Sequence, residues 1–199
     1  MRFQLFVASL WILAAEAGAA QTTTPGDTAR FSCRIRPEKM VYKRGEEIAF
    51  TVELLNKSTK PEVVLKHVLG FDFPTTRFEV LRRGSLGSDK KMKRYRSCFV
   101  LPVAVRDFVV VAPGQVFNPF ATPFNKGTTI TLSEAGYGNL PPGDYTVTFT
   151  YACVSNYEKK GHRSGTGELA IDQAQLLTLI AQVPALELYS NIAHLNITR

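Results

Sequence analysis

The residues of this sequence whose types and spacing could do chemistry are cations, concentrated in the run Lys90–Arg96. From Arg77 to Arg96 there are eight basic and two acidic residues, so this segment carries +6 of the chain's net charge of +7. Several cations close together create a field that concentrates polyanions. Such a cluster can bind sulfated polysaccharide, anionic lipid or nucleic acid, and the alternative interpretation is a solvated loop without a ligand. The candidate polyanion-binding residues are Arg82, Arg83, Lys90, Lys91, Lys93, Arg94 and Arg96.

The other reactive residue types do not form a catalytic or metal-binding pattern. The three histidines lie far apart, without the spacing of metal ligands. The nucleophile elbow of a serine hydrolase has the pattern Gly-x-Ser-x-Gly. The segment 161–165, Gly-His-Arg-Ser-Gly, has its serine one position too late for this pattern. The acidic pair Glu46-Glu47 has no identifiable partner acid. We therefore expect no catalytic residue, no metal and no cofactor. The histidines are His67, His162 and His194.

The three cysteines, Cys33, Cys98 and Cys153, are an odd number. In an oxidising compartment this number suggests one disulfide and one remaining thiol, and three pairings are open. Cys33 and Cys153 fall on the same face of their predicted strands as the apolar residues that alternate along them. Cys98 falls on the face opposite to its apolar neighbours. We therefore favour a disulfide between Cys33 and Cys153, with Cys98 as the candidate free thiol.

The N-terminus has the layout of a secretory signal peptide. A basic start is followed by an apolar run over residues 5–15 and by small residues over 17–20. That run is shorter than the roughly 20 residues that span a bilayer as a helix, so we expect a secreted, extracellular protein with no transmembrane segment. The predicted organisation is a signal peptide over 1–20, a flexible leader over 21–29 and a single β-sandwich domain over 30–199.

Two sequons match the acceptor pattern for N-glycosylation. They are Asn56-Lys57-Ser58 and Asn196-Ile197-Thr198. Both matter only if the secretory route is eukaryotic. Asn56 and Asn196 are therefore candidate glycosylation sites.

The elements that must position these residues read mostly as strands. The clearest is the turn over residues 140–144 followed by a strand that places Tyr145, Val147, Phe149, Tyr151 and Cys153 on one face. Similar alternation between Pro- and Gly-rich turns predicts about seven to nine strands, as in an all-β sandwich. One short helix is predicted near 172–183, and a strand over 176–183 is the alternative.

The predicted helix would present an apolar stripe, formed by Leu176, Leu177, Ile180 and Val183. The last segment, 188–198, is predicted as one terminal strand. In it Ala193, Leu195 and Ile197 alternate with Ile192, His194 and Asn196.

Several short motifs occur in order along residues 38–198. They are Gly45-Glu46-Glu47-Ile48, Asn56-Lys57-Ser58, Phe78-Glu79-Val80, Val111-Ala112-Pro113-Gly114, Pro142-Gly143-Asp144-Tyr145 and Ser190-Asn191. Together they resemble an immunoglobulin-like domain, similar to those of the intracellular proteinase-inhibitor family of bacilli and of the pro-regions of fungal deuterolysin-type metalloproteases. The resemblance implies an all-β, immunoglobulin-like β-sandwich and a role in inhibiting or regulating a protease, although no reactive loop is identified.

Three classes of function follow from these observations. The leading hypothesis is a secreted, non-catalytic immunoglobulin-like domain that binds another macromolecule through the basic segment 82–96. Its partner would be a secreted or cell-surface protein or an anionic polysaccharide, and we do not expect nucleic acid. The alternatives are a proteinase inhibitor or protease-regulating domain, and an enzyme of unknown class.

Overall fold

The computed structural model describes residues 30–66, 75–84, 89–94, 104–121, 129–153 and 170–199. The predicted signal peptide and leader lie outside these ranges, as do Cys98 and Arg96. Within the described ranges there are twelve β-strands, one α-helix and one short 3-10 helix, Val105–Asp107. Eight of those strands have four or more residues, in agreement with the predicted seven to nine. The strands are β1 Phe31–Pro37, β2 Val41–Lys43, β3 Ala49–Asn56, β4 Glu62–Leu65, β5 Thr75–Arg82, β6 Lys90–Lys91, β7 Phe108–Val111, β8 Val116–Phe117, β9 Thr129–Thr131, β10 Gly143–Cys153, β11 Leu186–Tyr189 and β12 Ala193–Thr198.

The strands form an all-β sandwich, which confirms the predicted fold class. One sheet has the order β1-β3-β8, with β9 also paired to β3. The larger sheet has the order β2-β12-β10-β5-β6, with β11 also paired to β10, and β4 and β7 form a separate pair. All pairings are antiparallel except that of β2 with β12. Strand β1 of the first sheet lies against β10, β11 and β12 of the second.

The core follows from strict alternation along the strands. On β10 the predicted inward residues are all buried, from Tyr145 through Phe149 to Cys153. The rings of Phe50, Phe78, Phe120 and Phe149 meet at the centre of the sandwich. The Phe50 and Phe78 centroids lie 5.5 Å apart, those of Phe78 and Phe149 lie 4.9 Å apart, and those of Phe120 and Phe149 lie 5.7 Å apart. Burying one phenylalanine side chain stabilises a fold by roughly 1.5–3 kcal/mol. This cluster therefore holds the two sheets together.

The helix α1 spans Ala170–Gln182, so the predicted helix is confirmed and the alternative of a strand over 176–183 is wrong. Leu176 and Val183 pack partly against the core. They are seven residues apart and share one face of a helix. Leu177, which we expected in the same apolar stripe, is 46% exposed because it is turned about 100° away.

The last segment is two strands rather than the single one predicted over 188–198. Both β11 and β12 pair with β10, and Ser190 lies between them opposite Phe149. The Ser190 hydroxyl accepts a hydrogen bond from the Phe149 backbone N–H at 2.9 Å. The side chain of Asn191 bonds both the N–H and the carbonyl of Ile35 in β1. These side chains satisfy backbone groups of two other strands, and the strand breaks there.

Candidate functional site

A rigid turn before β10 fixes one side of the basic segment. The Tyr145 hydroxyl donates to the Pro141 carbonyl at 2.5 Å, four residues back, as in the tyrosine corner of immunoglobulin-like sandwiches. Gly143 has φ +150, and a Cβ there would lie 2.8 Å from the Arg82 Nε. The Arg82 guanidinium lies so close because its Nη2 donates to the Pro142 carbonyl at 2.6 Å. The candidate ligand-binding residue Arg82, at the end of β5, is thus bonded to the turn and stabilises it.

The basic segment itself forms a hairpin at the edge of the larger sheet. Strand β6 pairs with the end of β5, so that Leu81 faces Lys91 and Arg82 faces Lys90. The Met92 N–H continues the ladder by donating to the Val80 carbonyl at 2.9 Å, and the Met92 side chain packs against the core. The hairpin is therefore anchored by apolar and backbone contacts, while its cations lie at the surface. We call Arg82–Arg94, in its described parts 82–84 and 89–94, the basic hairpin.

The cations of the basic hairpin have different surroundings. Arg94 donates from Nε to the Ala135 carbonyl at 2.9 Å, and Lys91 forms an exposed ion pair with Glu79. Arg83 and Lys90 are exposed, and within the described residues their side chains have no hydrogen bond or ion pair. Lys93 is also exposed. The fold thus brings six of the seven candidates to one edge, and Arg96 lies outside the described residues.

The sequence-based selection of site residues missed Arg77. This residue was counted in the local charge but was left out of the candidates. It is exposed on β5, in the sheet that carries the basic hairpin. The parity of β5 could have identified it, because the alternate residues Phe78 and Val80 are buried.

The described cysteines are poor nucleophiles. Burial raises the pKa of the Cys153 thiol to about 12, and burial raises that of Cys33 to about 12 as well. The Cys153 thiol donates to the Tyr151 hydroxyl at 3.2 Å, and that hydroxyl donates to the Leu65 carbonyl at 2.8 Å. Because the thiolate is the reactive form, neither thiol is reactive near neutral pH. Both are unpaired in this structure, and the disulfide between them stays a prediction.

The two sequons have opposite surroundings. Asn56 is fully buried, and its Nδ2 donates to the carbonyls of Val111 and Lys60 at 2.8 and 3.1 Å. A glycan on that nitrogen would remove one of these bonds and would require buried space, so the geometry argues against modification of Asn56. Asn196 lies on the outer side of β12, where its Nδ2 donates to the Asp144 Oδ1 at 2.7 Å. Asn196 remains a candidate.

The acidic residues singled out in the sequence make contacts within the fold. Within the described parts of the chain, no group of three or more His, Cys, Asp or Glu side chains could hold a metal ion. Glu46 pairs with Lys39, and its hydrogen bond with Lys39 lowers the pKa of Glu46. Glu47 accepts from the Ser133 hydroxyl at 3.0 Å. The acidic pair is thus engaged in local contacts, beside a small cleft that also includes Tyr137 and Asn139.

Comparisons with known proteins leave the function to be argued from this geometry. No family model, no curated protein and no solved structure matches the chain. In the described ranges, no helix is both long and apolar enough to cross a membrane. The site that combines exposure with a strong charge bias is the basic hairpin.

Proposed function

We propose that this protein is a secreted, non-catalytic β-sandwich domain that binds a macromolecular polyanion through the basic hairpin. One observation carries the proposal. The described residues from Arg77 to Arg94 include seven cations against two acids, and the cations lie along one sheet edge. Clusters of this kind raise the local concentration of anionic partners.

Anchoring of the hairpin supports this proposal. The ladder between β5 and β6, together with the packing of Met92, holds the backbone of the cations in place. A ligand therefore meets cations on a fixed frame and loses less conformational entropy on binding than with a free loop. Arg83 and Lys90 are the clearest ligand contacts, because no described intramolecular partner competes for their side chains.

The experiment is affinity for heparin, used as a sulfated polyanion, at several salt concentrations. We expect the triple variant Arg83→Ser, Lys90→Ser, Lys93→Ser to bind roughly tenfold more weakly, since each exposed charge contact is worth about 0.5 kcal/mol. The difference should shrink as salt rises, because salt screens exposed charges. Arg82 and Arg94 are kept because they donate to backbone carbonyls that lie far away in the sequence, and Lys91 is kept because it pairs with Glu79.

The matched control removes three exposed cations elsewhere, with Lys57→Ser, Lys60→Ser and Arg106→Ser. Both triple variants have the same net charge. An equal loss of affinity in both would mean that net charge alone attracts heparin, and unchanged affinity in the hairpin variant would reject the site. Circular dichroism and thermal melting should verify that both variants fold.

A further inference from the structure

We infer that the binding surface continues from the basic hairpin along β5, across the outer face of the larger sheet, and that its ligand is an extended sulfated polysaccharide. This inference rests on the proposed function and adds a direction and a ligand class. It includes Arg77, which lies outside the predicted basic loop. The surface that we call the β5 face consists of Arg77, Glu79, Leu81, Arg83, Lys91, Lys93, Thr146, Thr148 and Thr150.

Strand register places these residues on one side of the sheet. Arg77 is opposite Thr150, Glu79 is opposite Thr148, and Leu81 lies between Thr146 and Lys91. The residues that alternate with them, including Phe78 and Val147, are buried in the core. The β5 face is therefore the outer side of the sheet. Among the described elements, the helix α1 lies against β4 and the 3-10 helix rather than on this face.

The charges of the β5 face form a row. Arg77 lies on β5, and Arg83 directly follows this strand, where its N–H still donates to the Asp144 carbonyl. The two arginines are six residues apart in extended chain, a separation of roughly 20 Å. Both are exposed, and the exposed residues Lys91 and Lys93 lie beside the row on the neighbouring hairpin segment. The acid within the row, Glu79, is held by Lys91. A linear polyanion fits such a row better than a compact anion, because it can reach both arginines at once.

The neighbouring strand adds hydroxyl groups to this row. Thr146, Thr148 and Thr150 recur at every second residue of β10, about 7 Å apart, on the side facing solvent. Threonine hydroxyls can donate to sulfate oxygens and accept from sugar hydroxyls. Cations flanked by hydroxyls match a chain that carries both sulfates and hydroxyls.

The shape of the surface favours polysaccharide over nucleic acid. Reading the base edges of a duplex usually requires an element that enters a groove, such as a helix or a two-stranded ribbon, whereas the β5 face belongs to a broader sheet. Single-stranded nucleic acid is commonly held by several aromatic platforms in succession. Next to the β5 face the described part of β11 offers one such residue, Tyr189, which is opposite Thr150 and whose hydroxyl donates to Glu187 at 2.5 Å. The predicted secretion also favours an extracellular polysaccharide.

The test measures the affinity of wild type, Arg77→Ser and Arg34→Ser for heparin oligosaccharides of increasing length. Arg34 is an exposed arginine within a strand of the opposite sheet, so it is a matched control. We expect Arg77→Ser to weaken binding about twofold for long oligosaccharides, as the loss of one exposed charge contact should, and to leave the binding of the shortest ones unchanged because they cannot reach from Arg83 to Arg77. Arg34→Ser should behave as wild type at every length.

A second variant, Thr148→Val with Thr150→Val, tests the hydroxyls while keeping side chains that favour strands. We expect its affinity for long oligosaccharides to fall about threefold. If Arg77→Ser and this variant bind every length as wild type does, while the hairpin triple variant is weakened, the β5 face is wrong and the proposed function stands. If the triple variant also binds normally, both fail. Tighter binding of DNA or RNA of equal length and charge would overturn the ligand class.

Discussion

Strand β10 with its entry turn and the basic hairpin are neighbours in one sheet, but their side chains have opposite roles. Along β10 the inward side chains are buried, and the turn is closed by the hydrogen bond from Tyr145 to Pro141. In the basic hairpin, cations such as Arg83 and Lys90 are exposed without a described partner. The comparison indicates that the inward side of β10 maintains the fold, whereas the exposed cations of the hairpin are where we propose that a ligand binds.

Two arginines connect these roles. Arg82 bonds the turn at Pro142, and Arg94 bonds the Ala135 carbonyl. Both keep their charge and so contribute to the local field, but their geometry serves the fold. A variant that removed all the basic residues of the hairpin would therefore mix a loss of binding with a loss of stability, which is why the proposed triple variant leaves them in place.

The largest effect that separates the two regions should come from Phe149→Ala. Phe149 is fully buried, and its ring meets those of Phe78 and Phe120. We expect a loss of about 3–5 kcal/mol in the free energy of unfolding, measured by urea denaturation. The control Thr148→Ala, on the outer side of the same strand, should cost less than about 1 kcal/mol. A similar loss in both variants would show that the two faces of β10 do not differ as described.

An intermediate effect is expected for Tyr145→Phe. The change removes the hydroxyl that donates to Pro141, so the turn loses one hydrogen bond and keeps its ring packing. The expected cost is about 1–2 kcal/mol in urea denaturation. Tyr189→Phe is the control, because Tyr189 is 56% exposed, and its cost should be near zero. Heparin affinity should be unchanged in both variants, and weakened binding by Tyr145→Phe would show that the turn takes part in the ligand site.

The smallest effect should come from the ion pair between Lys91 and Glu79. Both side chains are more than a third exposed, so a double-mutant cycle with Lys91→Gln and Glu79→Gln should give a coupling of about 0.5 kcal/mol or less. Thermal or urea unfolding of the four proteins measures it. A coupling above about 1 kcal/mol would mean that the hairpin cations also stabilise the fold, and the contrast with β10 would weaken.

Much of the fold could be predicted from local alternation. The prediction of which residues of β10 point into the core was correct. The same prediction was correct for β12, where Ala193, Leu195 and Ile197 are buried. The break at Ser190 was not predicted, because these polar side chains bond to Phe149 and Ile35, which no local pattern relates to them. The burial of Asn56 was missed for the same reason, since its amide bonds Val111, 55 residues away.

The sequence by itself determined the charge of the basic segment and the inward and outward sides of the main strands, because both depend on neighbouring residues. Only the tertiary structure decided which cations remain available to a ligand. Arg82 reaches Pro142 across 60 residues, Arg94 reaches Ala135 across 41, and Arg77 shares a surface with the hairpin through the register of the sheet. These relations arise when distant segments pack together, so they depend on the fold as a whole.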